Sequence, residues 1–232
     1  MQVKVLCLTA LAAGAIALPA AAQTAGGLTD PMTYLRGSYV ELEGGGSFQG
    51  ATTEFNSPAG QIANQGSGHF RAGYLGGAIL GHDLAPGVGV ELEGLYLNNE
   101  YNTATNITQG VYGHTSTYGG LANLKFSLPF DYHVTPRFAL VPYAAAGAGY
   151  GQVRYHTGAG GVDFVNDTQD GFMWQAKAGV EVKTGTPVSL DIGYRYLETP
   201  DYHQDFLGAG GGSSFEMRSH AQVATVGLRY TF

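Results

Sequence analysis

The chain has 232 residues, with 37 glycines, 15 tyrosines, 11 phenylalanines, only 12% charged residues and a formal net charge of −7. The acidic balance excludes a nucleic-acid partner, which needs a basic surface. One cysteine excludes a disulfide framework, and the length allows a single β-barrel domain.

The first 22 residues predict a secretory signal peptide. Lys4 supplies the basic start, 5–18 the short apolar run, and Pro19 with Ala20, Ala21 and Ala22 the small-residue cleavage site before Gln23. The apolar run is too short to cross a bilayer as a helix, which needs roughly 20 residues. The sole cysteine, Cys7, lies inside this leader, so the exported chain carries none. Residues 23–36 read as a short periplasmic N-terminal segment and 37–232 as the barrel. No later apolar run is long enough for a transmembrane helix. A membrane location therefore requires a closed barrel, because backbone polar groups cannot go unpaired in lipid.

Eight strands follow from alternation with a period of two. In 38–48, Val40, Leu42 and Phe48 oppose Glu41, Glu43 and Ser47. In 69–80, Phe70, Ala72, Tyr74 and Ala78 oppose His69, Arg71 and Gly73. In 87–98, Val88, Val90, Leu92 and Tyr96 oppose Glu91 and Glu93. In 116–128, Leu124, Phe126 and Leu128 oppose Asn123, Lys125 and Ser127. The fifth, 138–153, is so rich in alanine and glycine that its faces are not assigned. In 172–182, Trp174, Ala176, Ala178 and Val180 oppose Gln175, Lys177 and Glu181. In 188–197, Val188, Leu190, Ile192, Tyr194 and Tyr196 oppose Asp191 and Arg195. The last strand, 218–232, sets Ala224, Val226, Leu228 and Tyr230 against small, polar or charged neighbours and stops at Phe232. Short turns are expected at 82–86, 130–137 and 183–187, where Asp83, Pro86, Pro136 and Pro187 supply turn chemistry. Long polar loops are expected at 49–67, 99–115, 154–171 and 198–217.

The charges within the strands decide which face meets lipid. A lysine or arginine facing lipid at mid-membrane costs roughly 2–4 kcal/mol, and several would rival the roughly 5–15 kcal/mol by which a domain is stable. In a membrane barrel the acids Glu41, Glu43, Glu91, Glu93, Glu181 and Asp191 and the bases Arg71, Lys125, Lys177, Arg195 and Arg229 must therefore point inward. An eight-stranded barrel is only wide enough for side chains to fill it, so these residues are expected to form an ion-pair network that plugs the lumen. A soluble barrel with an apolar interior fits the same alternation. The leader, the terminal Phe232, the absence of cysteine from the exported chain and the outward tyrosines favour the membrane.

Four segments carry a resemblance. They are 142–150 (Pro-Tyr-Ala-Ala-Ala-Gly-Ala-Gly-Tyr), 174–180 (Trp-Gln-Ala-Lys-Ala-Gly-Val), 190–196 (Leu-Asp-Ile-Gly-Tyr-Arg-Tyr) and 227–232 (Gly-Leu-Arg-Tyr-Thr-Phe). The chain resembles the small eight-stranded outer-membrane barrels, which include the opacity proteins, the OmpA-like transmembrane domain and the porin-like surface antigens. The resemblance covers the chain after about Arg36. It implies an all-β fold, an eight-stranded antiparallel up-and-down transmembrane β-barrel, in the outer membrane of a Gram-negative bacterium. It also implies that Leu228, Tyr230 and Phe232 form the terminal signal read by the barrel assembly machinery. The expected surroundings are outer-membrane lipid and lipopolysaccharide, the chain acts as a monomer, and the loops are the place for an extracellular ligand. Two-domain members continue into a peptidoglycan-binding domain, whereas this sequence stops at Phe232.

Site chemistry is sparse. Glu54, Glu100, Asp163, Asp167, Asp170, Glu198, Asp201, Asp205 and Glu216 make the expected loops acidic. Asp163, Asp167 and Asp170 lack the alternate-position spacing of a calcium loop, and the glycine run 208–212 lacks the lysine and helix of a phosphate-binding loop. Ser219 and His220 are adjacent, so on a strand they face opposite sides and cannot act as nucleophile and base. No catalytic, cofactor or metal residue is assigned and the chain is read as a non-enzyme. The expected role is structural or surface-interacting. A narrow porin for ions or small solutes is the alternative, and a lipid A-modifying hydrolase comes third. Mass spectrometry of the protein recovered from outer membranes should show Gln23 as its first residue; a start at Met1 would remove the leader assignment.

Overall fold

The computed structural model describes residues 35–232 apart from 57–65, 71, 105–110, 129–131, 136, 160–161 and 209–210, and describes no side chain within 49–71, 101–112, 157–166 and 202–218. The expected leader, 1–22, and most of the expected N-terminal segment lie outside the described residues. Arg36–Phe232 form one compact unit. Its strands are β1 Ser38–Asn56, β2 Gly66–Phe70, β3 Gly73–Ala85, β4 Val88–Ala104, β5 Val111–Ser127, β6 Tyr132–Thr135, β7 Phe138–Ala159, β8 Val162–Lys183, β9 Val188–Glu198, β10 Tyr202–Gly208 and β11 Gly211–Thr231.

These eleven segments make eight staves. β2 and β3 both pair with β1 and with β4, and so form one stave. β5 and β6 both pair with β7, and β9 and β10 both pair with β11. All pairings are antiparallel. β1 pairs with β11 along its whole length, from Tyr39 opposite Thr231 to Asn56 opposite Ser214. That seam closes the cylinder and leaves no free edge, which a sheet in lipid requires.

The pleat sends alternate residues in and out. On β9, Ile192 and Tyr194 are half exposed while Asp191 and Arg195 are 2% and 1% exposed. On β11, Val226 and Leu228 face out while Thr225 and Arg229 are buried. The greasy surface is thus outside and the charged surface inside, the inverse of a soluble barrel. The alanine-rich β7 now has faces: Val141, Ala145, Val153 and Tyr155 point in, while Phe138 and Tyr150 point out.

The turns sit on one rim. Asp83 to Val88 and Thr184 to Val188 are tight, and Gly87 and Gly185 take the left-handed conformation (φ 80° and 70°) that a side chain disfavours. The other rim differs from the expectation of long irregular loops. β1, β4, β7, β8 and β11 run 17–22 residues, against roughly 9–11 needed to cross a bilayer. Most of 49–67, 99–115, 154–171 and 198–217 is therefore paired strand. Those stretches are too polar throughout for a period of two to show in the sequence. Hairpin pairing continues beyond the lipid, since backbone hydrogen bonds are as useful there as within it.

Outward aromatics mark the two edges of the apolar belt. Phe48, Tyr74, Tyr150, Phe172 and Trp174 ring the hairpin side, and Tyr132, Phe138, Tyr230 and Phe232 ring the turn side. Many touch across strands: Tyr74 with Tyr96 at 6.0 Å, Tyr96 with Tyr118 at 5.4 Å, and Trp174 with Tyr196 at 5.4 Å between ring centroids. Such girdles belong at the membrane–water interfaces. Replacing Ile192, outward in mid-belt, by lysine should lower stability by about 2–4 kcal/mol. The same change at Thr168, outward on β8 beyond the belt, should stay within about 0.5 kcal/mol. Urea unfolding from lipid vesicles measures both, and equal costs would misplace the belt.

Candidate functional site

The lumen is the candidate site, and β4 shows its layers in order. From the turn rim upward its inward residues are Glu91, Glu93, Leu95, Leu97 and Asn99, all buried. Charged, apolar and polar tiers therefore stack along the axis.

The lower part of the charged tier centres on Arg229. Its Nε and Nη2 donate to Glu41 Oε2 at 2.8 and 2.6 Å, and its Nη1 donates to Glu181 Oε2 at 2.7 Å. Ser189 donates to the other oxygen of Glu181 at 2.8 Å. The guanidinium lies 4.1 Å from the centre of the Tyr39 ring, a cation–π contact. Asp191 accepts from the Tyr143 hydroxyl at 2.7 Å and has Arg229 Nη2 at 3.9 Å.

The upper part centres on Glu93. It accepts from Arg195, Lys177 (3.2 Å), Gln175 (2.6 Å) and Asn123 (2.9 Å). Arg195 also pairs with Glu43 and donates to Gln175 at 3.0 Å. Lys177 reaches Glu91 at 2.9 Å, and Glu91 accepts from Tyr39 at 2.8 Å. These contacts join β9 to β1 and β4, and β8 to β4, which are not neighbours in the sheet. They are struts across the lumen. Charges removed from water need such partners.

Above them lies an apolar tier of Leu75, Leu95, Leu97, Leu121, Met173, Leu197, Ala221 and Val223. Met173 fits because two neighbours lack side chains: a Cβ at Gly151 would stand 2.0 Å, and one at Gly119 2.5 Å, from its sulfur. An ion in this tier would lose its hydration and meet only apolar side chains. Ser47, Asn99, Thr115, Thr117, Thr199 and Ser219 form the polar tier nearest the hairpins.

The structure brings together ten of the eleven charged residues singled out in the sequence; Arg71 lies outside the described residues. Among the described residues the lumen holds six carboxylates (Glu41, Glu43, Glu91, Glu93, Glu181, Asp191) and four bases (Lys125, Lys177, Arg195, Arg229). Sequence reasoning missed the apolar tier and the neutral members Tyr39, Tyr143 and Ser189, and it put Asn123 and Gln175 on the inward face without a part in the network. The signal was the run Leu95, Tyr96, Leu97, where alternation lapses because both faces are apolar. Ser219 and His220 do point to opposite faces. Ser219 is buried against Thr199 Oγ1 at 2.5 Å, while His220 stacks on Tyr196 at 5.5 Å. His69 has no described side chain.

Arg195→Met removes the shared partner of Glu43 and Glu93. It should destabilise the barrel by about 3–5 kcal/mol, the cost of an uncompensated buried charge, and adding Glu43→Gln should recover part of that loss. Urea titration of the folded protein would show it; an additive double variant would mean that the two residues do not act together.

The comparisons agree with this architecture. The family model for the outer membrane protein beta-barrel domain matches residues 8–232. An outer membrane protein of Gluconacetobacter diazotrophicus is 28% identical over 86% of this chain, and the chain spans 58% of that relative's length. OprG from Pseudomonas aeruginosa superposes with a TM-score of 0.55 at 11% identity, covering 85% of this chain and 97% of its own. AlkL, solved by solid-state NMR in DMPC lipid bilayers, gives 0.51 at 13% identity, covering 90% and 94%. At those identities the two structures speak for the fold alone. With a closed eight-stranded antiparallel cylinder, apolar outside and charged within, the chain belongs to the outer membrane protein beta-barrel family and resides in the outer membrane.

Proposed function

We propose that this protein is a closed-lumen anchor that presents its hairpins at the cell surface, in a structural or surface-interacting role. The observation that carries this reading is the stack of tiers. A hydrated ion entering from the hairpin side meets the Leu95, Leu97, Leu121, Met173 and Leu197 layer, and below it a lumen cross-linked by Arg195, Lys177 and Arg229. A narrow porin would need a continuous wet path through both.

Short turns lie on the periplasmic side of such barrels and the longer connections lie outside. The hairpins then extend past the outer leaflet. Their described side chains include exposed Glu100, Asp167, Asp170 and Asp201. The acidic rim suits a partner that is cationic or held through divalent cations at the lipopolysaccharide layer. Hairpin pairing gives the rim more rigidity than free loops would have, which suits a surface that must keep its shape.

In planar bilayers the protein should show no steady conductance, and vesicles containing it should not swell in small sugars. Replacing Leu97 and Leu197 together by serine should admit water to the apolar tier and raise ion leakage. A large, steady conductance from the unaltered protein would favour the narrow porin instead. A changed lipid A mass in cells expressing the protein would favour the hydrolase.

A further inference from the structure

At the turn rim the lumen opens into a vestibule of about 480 Å³ bounded by the Asp83–Gly87 turn and the ends of β5, β7, β8 and β11. That volume lies in the range of small-molecule sites. Its inner end is closed by the Arg229 cluster. Arg229 has committed Nε, Nη1 and Nη2 to Glu41 and Glu181, and Glu181 has committed its two oxygens to Ser189 and Arg229.

Lys125 is different. It lines the vestibule and is 3% exposed. Among the described residues no acceptor lies within hydrogen-bonding distance of its ammonium. The carboxylate oxygen paired with it, Glu181 Oε2, is 3.8 Å away and already accepts from Arg229. The ammonium rests instead against the faces of Tyr143 and Tyr39, 4.5 and 5.4 Å from the ring centres. Aromatic faces orient a cation without using up its N–H donors. Three charge-assisted donors thus remain on a buried cation at the wall of an open cavity, a costly arrangement that an incoming anion relieves. Ser127 and Thr231 also line the vestibule. Asp83 sits exposed at the mouth, where solvent screens it.

We propose that this vestibule binds a small periplasmic molecule through one carboxylate or phosphate group seated on Lys125. The lumen functions considered above do not use this site.

The test uses the folded protein in detergent micelles with ¹³C-labelled lysines, titrated with inorganic phosphate and separately with acetate at constant ionic strength. The Lys125 ε-CH₂ signal, assigned by its loss in Lys125→Gln, should shift saturably with a Kd in the millimolar range or tighter. A shift with phosphate alone assigns a phosphate ligand and one with acetate alone a carboxylate. A second measurement needs no variant. Acylation of Lys125 by an N-hydroxysuccinimide ester, read by peptide mass spectrometry, should slow about tenfold when the anion is present at about ten times its Kd. A linear, unsaturable shift with both anions, or unchanged acylation, would overturn the proposal.

Discussion

Eight strands leave a cylinder only as wide as the side chains inside it, and that narrowness governs everything else in the lumen. Over most of the cylinder's length an inward residue faces the residue opposite rather than water. A glutamate on β4 must therefore meet a base from β8 or β9, as Glu93 meets Lys177 and Arg195. A leucine must meet another apolar group, as Leu97 and Leu197 do within one cluster. The same width makes Gly119 and Gly151 necessary, since Met173 occupies the volume their side chains would need. In a wider barrel each of these residues could be solvated independently. Here they form one packed object, in which charge, shape and register constrain one another.

The outer surface answers to a different solvent. Between its two aromatic girdles the barrel shows aliphatic side chains such as Leu42, Leu92, Ile192 and Leu228. Past the hairpin-side girdle the outward residues become polar, as at Gln152, Arg154 and Asp170, although the strands continue without interruption. The sheet is thus one structure crossing two environments, and the side chains alone record where the boundary lies.

Much of this was legible in the sequence. Period-two alternation located the eight staves, and the cost of charge in lipid oriented them, so that the faces of Glu41, Lys177 and Arg195 followed. Three features resisted. The alanine- and glycine-rich β7 has too little contrast between faces for a period to show. The outward extension of the strands was hidden because polar residues on both faces read as loop. The apolar tier was hidden for the converse reason: around Leu95 and Leu97 both faces are greasy, and alternation carries no information where its two states coincide. Partner choice within the network lies beyond a single sequence, since Arg195 and Glu43 are 152 residues apart and only the register of the closed cylinder brings them together.

The seam between first and last strands has a consequence for how the cylinder is completed. Arg229 of β11 and Glu41 of β1 are separated by 188 residues, so their bond forms only when the sheet has curled round on itself. Until then Glu41 lacks its guanidinium, and so does Glu181 across the lumen. A sheet without its final strand leaves both carboxylates short of that partner, and β11 brings it along the same seam that removes both free edges. The latch is electrostatic as well as geometric, since the pairing that joins the two ends also sets one guanidinium between Glu41 and Glu181.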